Sequence, residues 1–246
     1  MGSQHQASQR SARSKPERRP VGVRAVLAGA AAAGRRYWSR ILAVAIAVSV
    51  VTAVVEIIVD EYVDPANVPL KVFADLSSSA VSLLGAVFLS GFICKLTAAS
   101  GDGKQLSVRH VLAILPWGRL TGADLLVSFF AAIGILLLLI PGLVVINLFG
   151  VVGPVIEIED LRIWAALRRS AHLVKPHFWT VALLVTLPIA IAGEIDSVVP
   201  EPDNLRAVLE NLVIRGVIEG FAEAVIALIV VHLSRRLIEL DRPAAA

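Results

Sequence analysis

The chain of 246 residues is poor in charge and in cysteine, and each shortage narrows the class of protein. Only 17% of its residues are charged, whereas soluble globular domains carry about 25%. The one cysteine, Cys94, lies in an apolar stretch, so an intrachain disulfide is excluded. The net charge of +3 comes from basic residues that stand beside apolar stretches. This placement favours a membrane topology signal over binding to nucleic acid.

The sequence also lacks the short motifs that carry common chemistry. It contains no Gly-rich phosphate loop, no H-E-x-x-H zinc motif and no G-x-S-x-G nucleophile elbow. The five histidines are scattered, and Pro176 separates the two nearest ones, His172 and His177. We therefore expect no metal site, no other cofactor and no enzymatic activity.

Apolar residues are abundant instead, and they come in blocks. They make up 57% of the chain, and Leu76–Cys94 and Leu125–Ile156 contain no charge at all. A helix that crosses a bilayer core needs roughly 20 apolar residues. The sequence predicts an all-α polytopic membrane bundle with short interfacial helices and about six transmembrane helices, near residues 41–59, 76–94, 125–140, 143–156, 177–193 and 211–233.

The uncharged run 125–156 is too long for one span. As a single helix it would measure about 48 Å, against a core of about 30 Å. Pro141-Gly142 near its middle predicts a turn. The two halves are short, so both two full spans and a re-entrant hairpin fit the run. Pro188 predicts a kink in the fifth span.

Charge distribution predicts the threading. We divide the chain into a disordered basic tail with an Ala-rich interfacial segment (1–36), a six-span membrane domain (37–238) and a short C-terminal tail (239–246). Of the 23 Lys and Arg residues, 20 fall on the side of the two termini. By the positive-inside rule both termini are cytoplasmic, in a multi-pass protein of the cell membrane.

The stretch Ile140–Leu184 has an order of residues that is similar to that of a known family of membrane proteins. It reads Pro141-Gly142, an apolar span, Glu157, then Ala165-Ala166-Leu167-Arg168-Arg169-Ser170, Leu173 and Phe178-Trp179. This order resembles the bacterial membrane domain of glycerophosphoryl diester phosphodiesterase and the YciC-like membrane proteins, whose function is uncharacterised. The Tyr-x-Asp-x-Arg-like stretch that often ends the last span of that family is replaced here by "VHLSRRLIELD".

The resemblance implies six spans with cytoplasmic ends and a membrane module without the hydrolase domain. From it we expect a non-enzymatic protein of the bacterial cytoplasmic membrane, serving as an envelope-associated scaffold or accessory module. The expected partners are the lipid bilayer with its anionic headgroups, and either a membrane-protein partner or a second copy of the chain.

Four residues after the fourth predicted span are candidates for function: Glu157, Arg168, Arg169 and Ser170. In the simpler interpretation the carboxylate marks the membrane interface and the arginines bind headgroups. Glu159-Asp160 would then begin the next helix, where the helix dipole favours negative charge. In the alternative interpretation these residues form a cytoplasmic gate or a docking site.

The sixth predicted span contains a second candidate set, Arg215, Glu219 and Glu223. Their spacing places them on one stripe of a helix, beside the GxxxG pair Gly216 and Gly220. Charges within a span usually face protein or a water-filled cavity. Either Arg215 and Glu219 pair near the outer interface while Glu223 bonds within the bundle, or the carboxylates line the path of a small transporter or channel.

Overall fold

The computed structural model describes residues 21–64, 66–101, 107–137, 139–189, 191 and 205–242, and these residues form an all-helical bundle without a strand. This confirms the predicted fold class. The α-helices are α1 (Val23–Tyr62), α2 (Val68–Gly101), α3 (Val108–Ile114), α4 (Trp117–Leu137), α5 (Leu139–Phe149), α6 (Val152–Glu159), α7 (Ile163–Val174), α8 (Phe178–Val181) and α9 (Leu205–Asp241).

Three helical stretches are long and apolar enough to cross a membrane: Val23–Val59, Pro141–Glu159 and Leu212–Asp241. A shorter apolar helix covers Leu84–Ala98. The large apolar side chains that the bundle exposes are concentrated in 51–58, 125–133, 183–191 and 213–221. Such extensive apolar surface is typical of contact with a membrane.

Helices α1 and α9 form the longest pairing in the bundle, and they run antiparallel. A Cβ added to Gly220 would lie 2.9 Å from the Cα of Ile46, and one added to Gly34 would lie 3.4 Å from Leu228. Small residues let two helix backbones approach closely, which is the use of a GxxxG pair in membrane helices. Helix α1 has 40 residues and so a length of about 60 Å. It extends well beyond a bilayer core.

The Ala-rich segment is part of α1 and does not form a separate interfacial helix. Val26 and Ala30 are buried, and the helix continues without a break into the apolar stretch. The boundary predicted at residue 36 therefore has no counterpart in the backbone. At the other end of the chain, α9 continues to Asp241, two residues past the predicted start of the tail. Residues 1–20 and 243–246 lie outside the described residues.

The uncharged run after Asp124 is divided, but not at Pro141-Gly142, which lie inside α5. A Cβ on Gly134 would lie 2.8 Å from Gly142, although eight residues of continuous helix would separate them by about 12 Å. The chain therefore reverses between α4 and α5. A second break, at Gly150-Val151, separates α5 from α6.

The fifth predicted span is irregular before Pro188. It begins with a 3₁₀ turn, Lys175–His177, followed by α8 and a π-helical turn, Ala182–Thr186. Because proline lacks an N–H and its ring crowds the carbonyl four residues earlier, the preceding turn is displaced from α geometry. The distortion that the sequence predicts at Pro188 is thus found in the turn just before it. Residues 192–204 lie outside the described residues.

Candidate functional site

A buried ion pair joins the end of α2 to α6. Lys95 Nζ lies 2.7 Å from Glu157 Oε2, and the Glu157 side chain is only 1% exposed. The small Gly91 lies beside it, where an added Cβ would be 3.7 Å from Glu157 Cγ. Among the described residues, neither carboxylate oxygen of Glu157 has a hydrogen-bond partner of good geometry, so the contact with Lys95 is a close ion pair. Glu157 therefore lies in the last turn of α6 as a buried partner of Lys95, and its carboxylate is not exposed at the protein surface.

Arg169 ties three helices together at one end of the bundle. Its guanidinium makes a bidentate contact with Glu159, with Nε–Oε2 and Nη2–Oε1 both at 3.0 Å. A third nitrogen, Nη1, donates to Asp241 at the end of α9. The hydrogen bond to Glu159 is the main reason why the pKa of Arg169 is raised above its ordinary value. The planar fork of arginine suits such bidentate binding, and two carboxylates contact the guanidinium for which the sequence predicts a headgroup role.

The acidic pair Glu159-Asp160 ends one helix and does not begin the next. Glu159 is the last residue of α6, and Asp160 adopts a left-handed conformation with φ 50°. Aspartate tolerates this region better than most residues, and Arg119 Nη1 contacts its carboxylate at 2.6 Å. Helix α7 starts only at Ile163, after Arg162 as N-cap. The position predicted for these two carboxylates is therefore wrong.

Ser170 is fully buried and performs a structural task. Its Oγ donates to the carbonyl oxygen of Leu148 at 2.7 Å. Because α5 ends at Phe149, this carbonyl is one of the last four that have no partner within the helix. Asn147 in the same turn donates to the carbonyl of Phe178 at 3.1 Å. Arg168, in contrast, is exposed.

The second candidate set lies where α9 meets α1. Glu223 is half-buried and accepts a hydrogen bond from Ser49 Oγ at 3.2 Å. Glu219, one turn earlier, is also half-buried and takes part in an interaction. Gly216 and Gly220 both face α1 beside these carboxylates. The side chain of Arg215 lies outside the described residues, so the predicted pair with Glu219 is not described.

Three polar residues of the bundle were not singled out by sequence reasoning. Arg235 Nη2 donates to Thr97 Oγ1 at 2.6 Å and so joins α9 to α2. Asp124 is 1% exposed, and its Oδ2 has no hydrogen-bond partner among the described residues. Asn147 joins α5 to α8. In the sequence, each of the three is a polar residue within an apolar run or next to one. This position is the signal that could have identified them.

The two candidate sets are not brought together. Glu157, Arg169 and Ser170 fasten α2, α5, α6, α7 and α9, whereas Glu223 contacts α1. No group of three or more potential metal ligands occurs in the described part of the chain. Comparisons with protein-family models, with curated proteins and with solved structures give no match to this chain.

Proposed function

We propose that the chain is a non-enzymatic, six-span protein of the bacterial cytoplasmic membrane that serves as an envelope-associated scaffold or accessory module. The observation that supports this proposal is that the charged candidate residues form ion pairs between helices. Glu157 is paired with Lys95, and Arg169 holds both Glu159 and Asp241. Charges that fasten helices to one another support a rigid module better than a reaction centre.

The proposed relationship to the phosphodiesterase membrane domain and the YciC-like proteins gains a physical rationale from the same contacts. Residues that carry the resemblance, Glu157, Arg169 and Ser170, each hold one helix against another. Residues that stabilise a fold are expected in every protein with that fold, whatever its activity.

The proposed threading places both termini in the cytoplasm and the α1–α2 connection outside. We expect a cysteine introduced at Ala66 to react with an impermeant thiol reagent in intact cells, and one at Arg168 to react only after the membrane is opened. Both positions are exposed, unlike Ser170, and the native Cys94 is only 3% exposed and gives little background. Labelling at 168 but not at 66 in intact cells would reverse the threading.

A second function, a small transporter or channel, is favoured by Glu219 and Glu223. Glu223 lies 12 residues, about 18 Å along α9, from Arg235. Its partner Ser49 lies nine residues, about 13 Å along α1, from Arg40. With Arg40 and Arg235 at the inner headgroups of the proposed six-span arrangement, both distances would correspond to a carboxylate near mid-membrane, where ionisable residues often mark ion or proton paths.

Flux measurements on proteoliposomes separate the two functions. The scaffold function predicts the same proton and cation permeability for liposomes that contain the protein, its Glu223→Gln variant, or no protein. Glutamine keeps the size of the side chain and an oxygen that accepts from Ser49, so the variant should fold. A flux that needs the protein and is lost in Glu223→Gln would reject the scaffold function in favour of transport.

A further inference from the structure

Helix α7 has two different faces, and only one of them is used inside the bundle. Its inner face, Ala166, Leu167, Ser170, Leu173 and Val174, is buried. The opposite stripe consists of Trp164, Arg168 and His172, and Lys175, the C-cap that directly follows α7, continues it at the spacing of one helix face. We call this stripe the α7 outer face. All four residues are exposed, Trp164 by 62%.

Two residues of the α7 outer face, Arg168 and Lys175, are exposed cations, and the carboxylates around them have other partners. Glu159 faces Arg169, and Asp160 faces Arg119. Asp241 is held by Arg169 and lies 3.5 Å from the edge of His172. Among the described residues, neither Arg168 nor Lys175 forms an ion pair. Two strong cations therefore point outwards from a helix whose own acidic neighbours have other partners.

The surroundings of the α7 outer face identify its occupant. Four residues after Lys175 stands Trp179, which is 82% exposed, and Leu183 and Leu187 follow it on the apolar surface of the bundle. From the cation Lys175 the chain thus passes through the exposed Trp179 to the exposed leucines. This is the order of anionic headgroups, interface and hydrocarbon, in which tryptophan prefers the middle layer. A folded protein partner would not require the leucines to follow.

We propose that the α7 outer face binds anionic phospholipid headgroups of the inner leaflet, with the phosphates at Arg168 and Lys175 and the indole of Trp164 at headgroup level. This inference rests on the proposed membrane function and adds a lipid class to it. Arginine and lysine bind phosphate oxygens by charge-assisted hydrogen bonds. Each cation at an anionic leaflet strengthens binding roughly fivefold. The two together favour an anionic over a zwitterionic lipid by up to about 25-fold.

The test uses the full chain reconstituted into bilayers of phosphatidylcholine and phosphatidylglycerol. Bromine-labelled acyl chains on one lipid or the other quench tryptophan fluorescence, and the ratio gives the relative association constant of the two lipids. Subtracting the signal of a Trp164→Phe variant isolates the contribution at α7. The test variant is Arg168→Gln/Lys175→Gln. The matched control is Arg24→Gln, an exposed arginine about 24 Å along α1 from Arg40.

We expect phosphatidylglycerol to be preferred near Trp164 by several-fold to 25-fold in the wild type and in Arg24→Gln. The double variant should lose most of this preference, and 0.5 M salt should weaken it through screening. Equal quenching by both lipids, or a preference that survives in the double variant, would overturn the lipid site while leaving the membrane function intact. A chain that fails to enter bilayers would overturn both.

Discussion

Replacing Gly220 by alanine is expected to destabilise the bundle, although alanine is the better helix former. The new Cβ would stand 2.9 Å from both Cα and N of Ile46. Backbone atoms have no rotamer by which to withdraw, so α1 and α9 must separate. Overpacking of this kind costs about 1–3 kcal/mol, and alanine returns up to about 1 kcal/mol in helix propensity. We expect a net loss of up to about 2 kcal/mol, seen as a lower unfolding midpoint in detergent.

Two other glycines provide controls for the alanine substitution. A Cβ on Gly118 meets nothing within 4 Å, and Gly118 is the second residue of α4, so Gly118→Ala should be neutral or stabilise the protein by up to about 0.5 kcal/mol. A Cβ on Gly216 would lie 2.9 Å from Cγ2 of Val50, whereas the nearest backbone atom, the nitrogen of Val50, is 4.0 Å away. That methyl group can rotate away, and the effect should fall between the other two. If Gly118→Ala and Gly220→Ala shift the midpoint equally, α1 and α9 do not pack at this register.

The fold class could be predicted because it depends on bulk composition. Uncharged runs such as 76–94 have few alternatives to membrane-type helices, whatever the details of packing. The GxxxG pair Gly216 and Gly220 also predicts close packing against another helix, even without knowledge of which helix that is. What the sequence leaves open is which helix faces these glycines, since pairing depends on tertiary contacts. The register of Gly220 against Ile46 needed the structure.

The roles of the candidate charges were less predictable, for a physical reason. Glu157 lies next to an uncharged run, and from the sequence it could equally mark an interface or enter the bundle. Its burial is decided by Lys95, which lies 62 positions earlier, and by the space left at Gly91. Likewise, the contact of Arg169 with Asp241 spans 72 positions. Local patterns carry no information on pairs so distant in sequence.

The predicted helix boundaries are wrong where a single residue departs from the common pattern. Acidic residues favour the first turn of a helix, and this preference predicts that Asp160 lies at a helix start. Its left-handed conformation instead ends α6, and Arg119 holds it there. The turn predicted at Pro141-Gly142 is wrong for a similar reason. Proline is tolerated in the first turn of a helix, and Pro141 lies in the first turn of α5.

Removing the positive charge of Lys95 is expected to destabilise the protein strongly, because its partner Glu157 is buried. Lys95→Met keeps the apolar stem but leaves the carboxylate of Glu157, 1% exposed, without its cation. Breaking a buried ion pair from one side costs about 3–5 kcal/mol, because the remaining charge is no longer compensated. Lys95 itself is 32% exposed, and solvent around it reduces the loss. We expect about 3 kcal/mol, measured as loss of stability in detergent.

The double variant Lys95→Met/Glu157→Gln tests whether this loss comes from the stranded charge. It removes both charges, and well-packed neutral replacements of a buried pair are often neutral or stabilising. Its stability should therefore return to within about 1 kcal/mol of the wild type, with a coupling free energy of about 2 kcal/mol in the cycle. The pair Arg236–Glu239, at 3.1 Å but with side chains 41% and 60% exposed, is the matched control. Its cycle should give no more than about 0.5 kcal/mol, because water already solvates both groups. Equal coupling in the two cycles would mean that Glu157 is hydrated, and the role of its ion pair as a fastener between α2 and α6 would have to be abandoned.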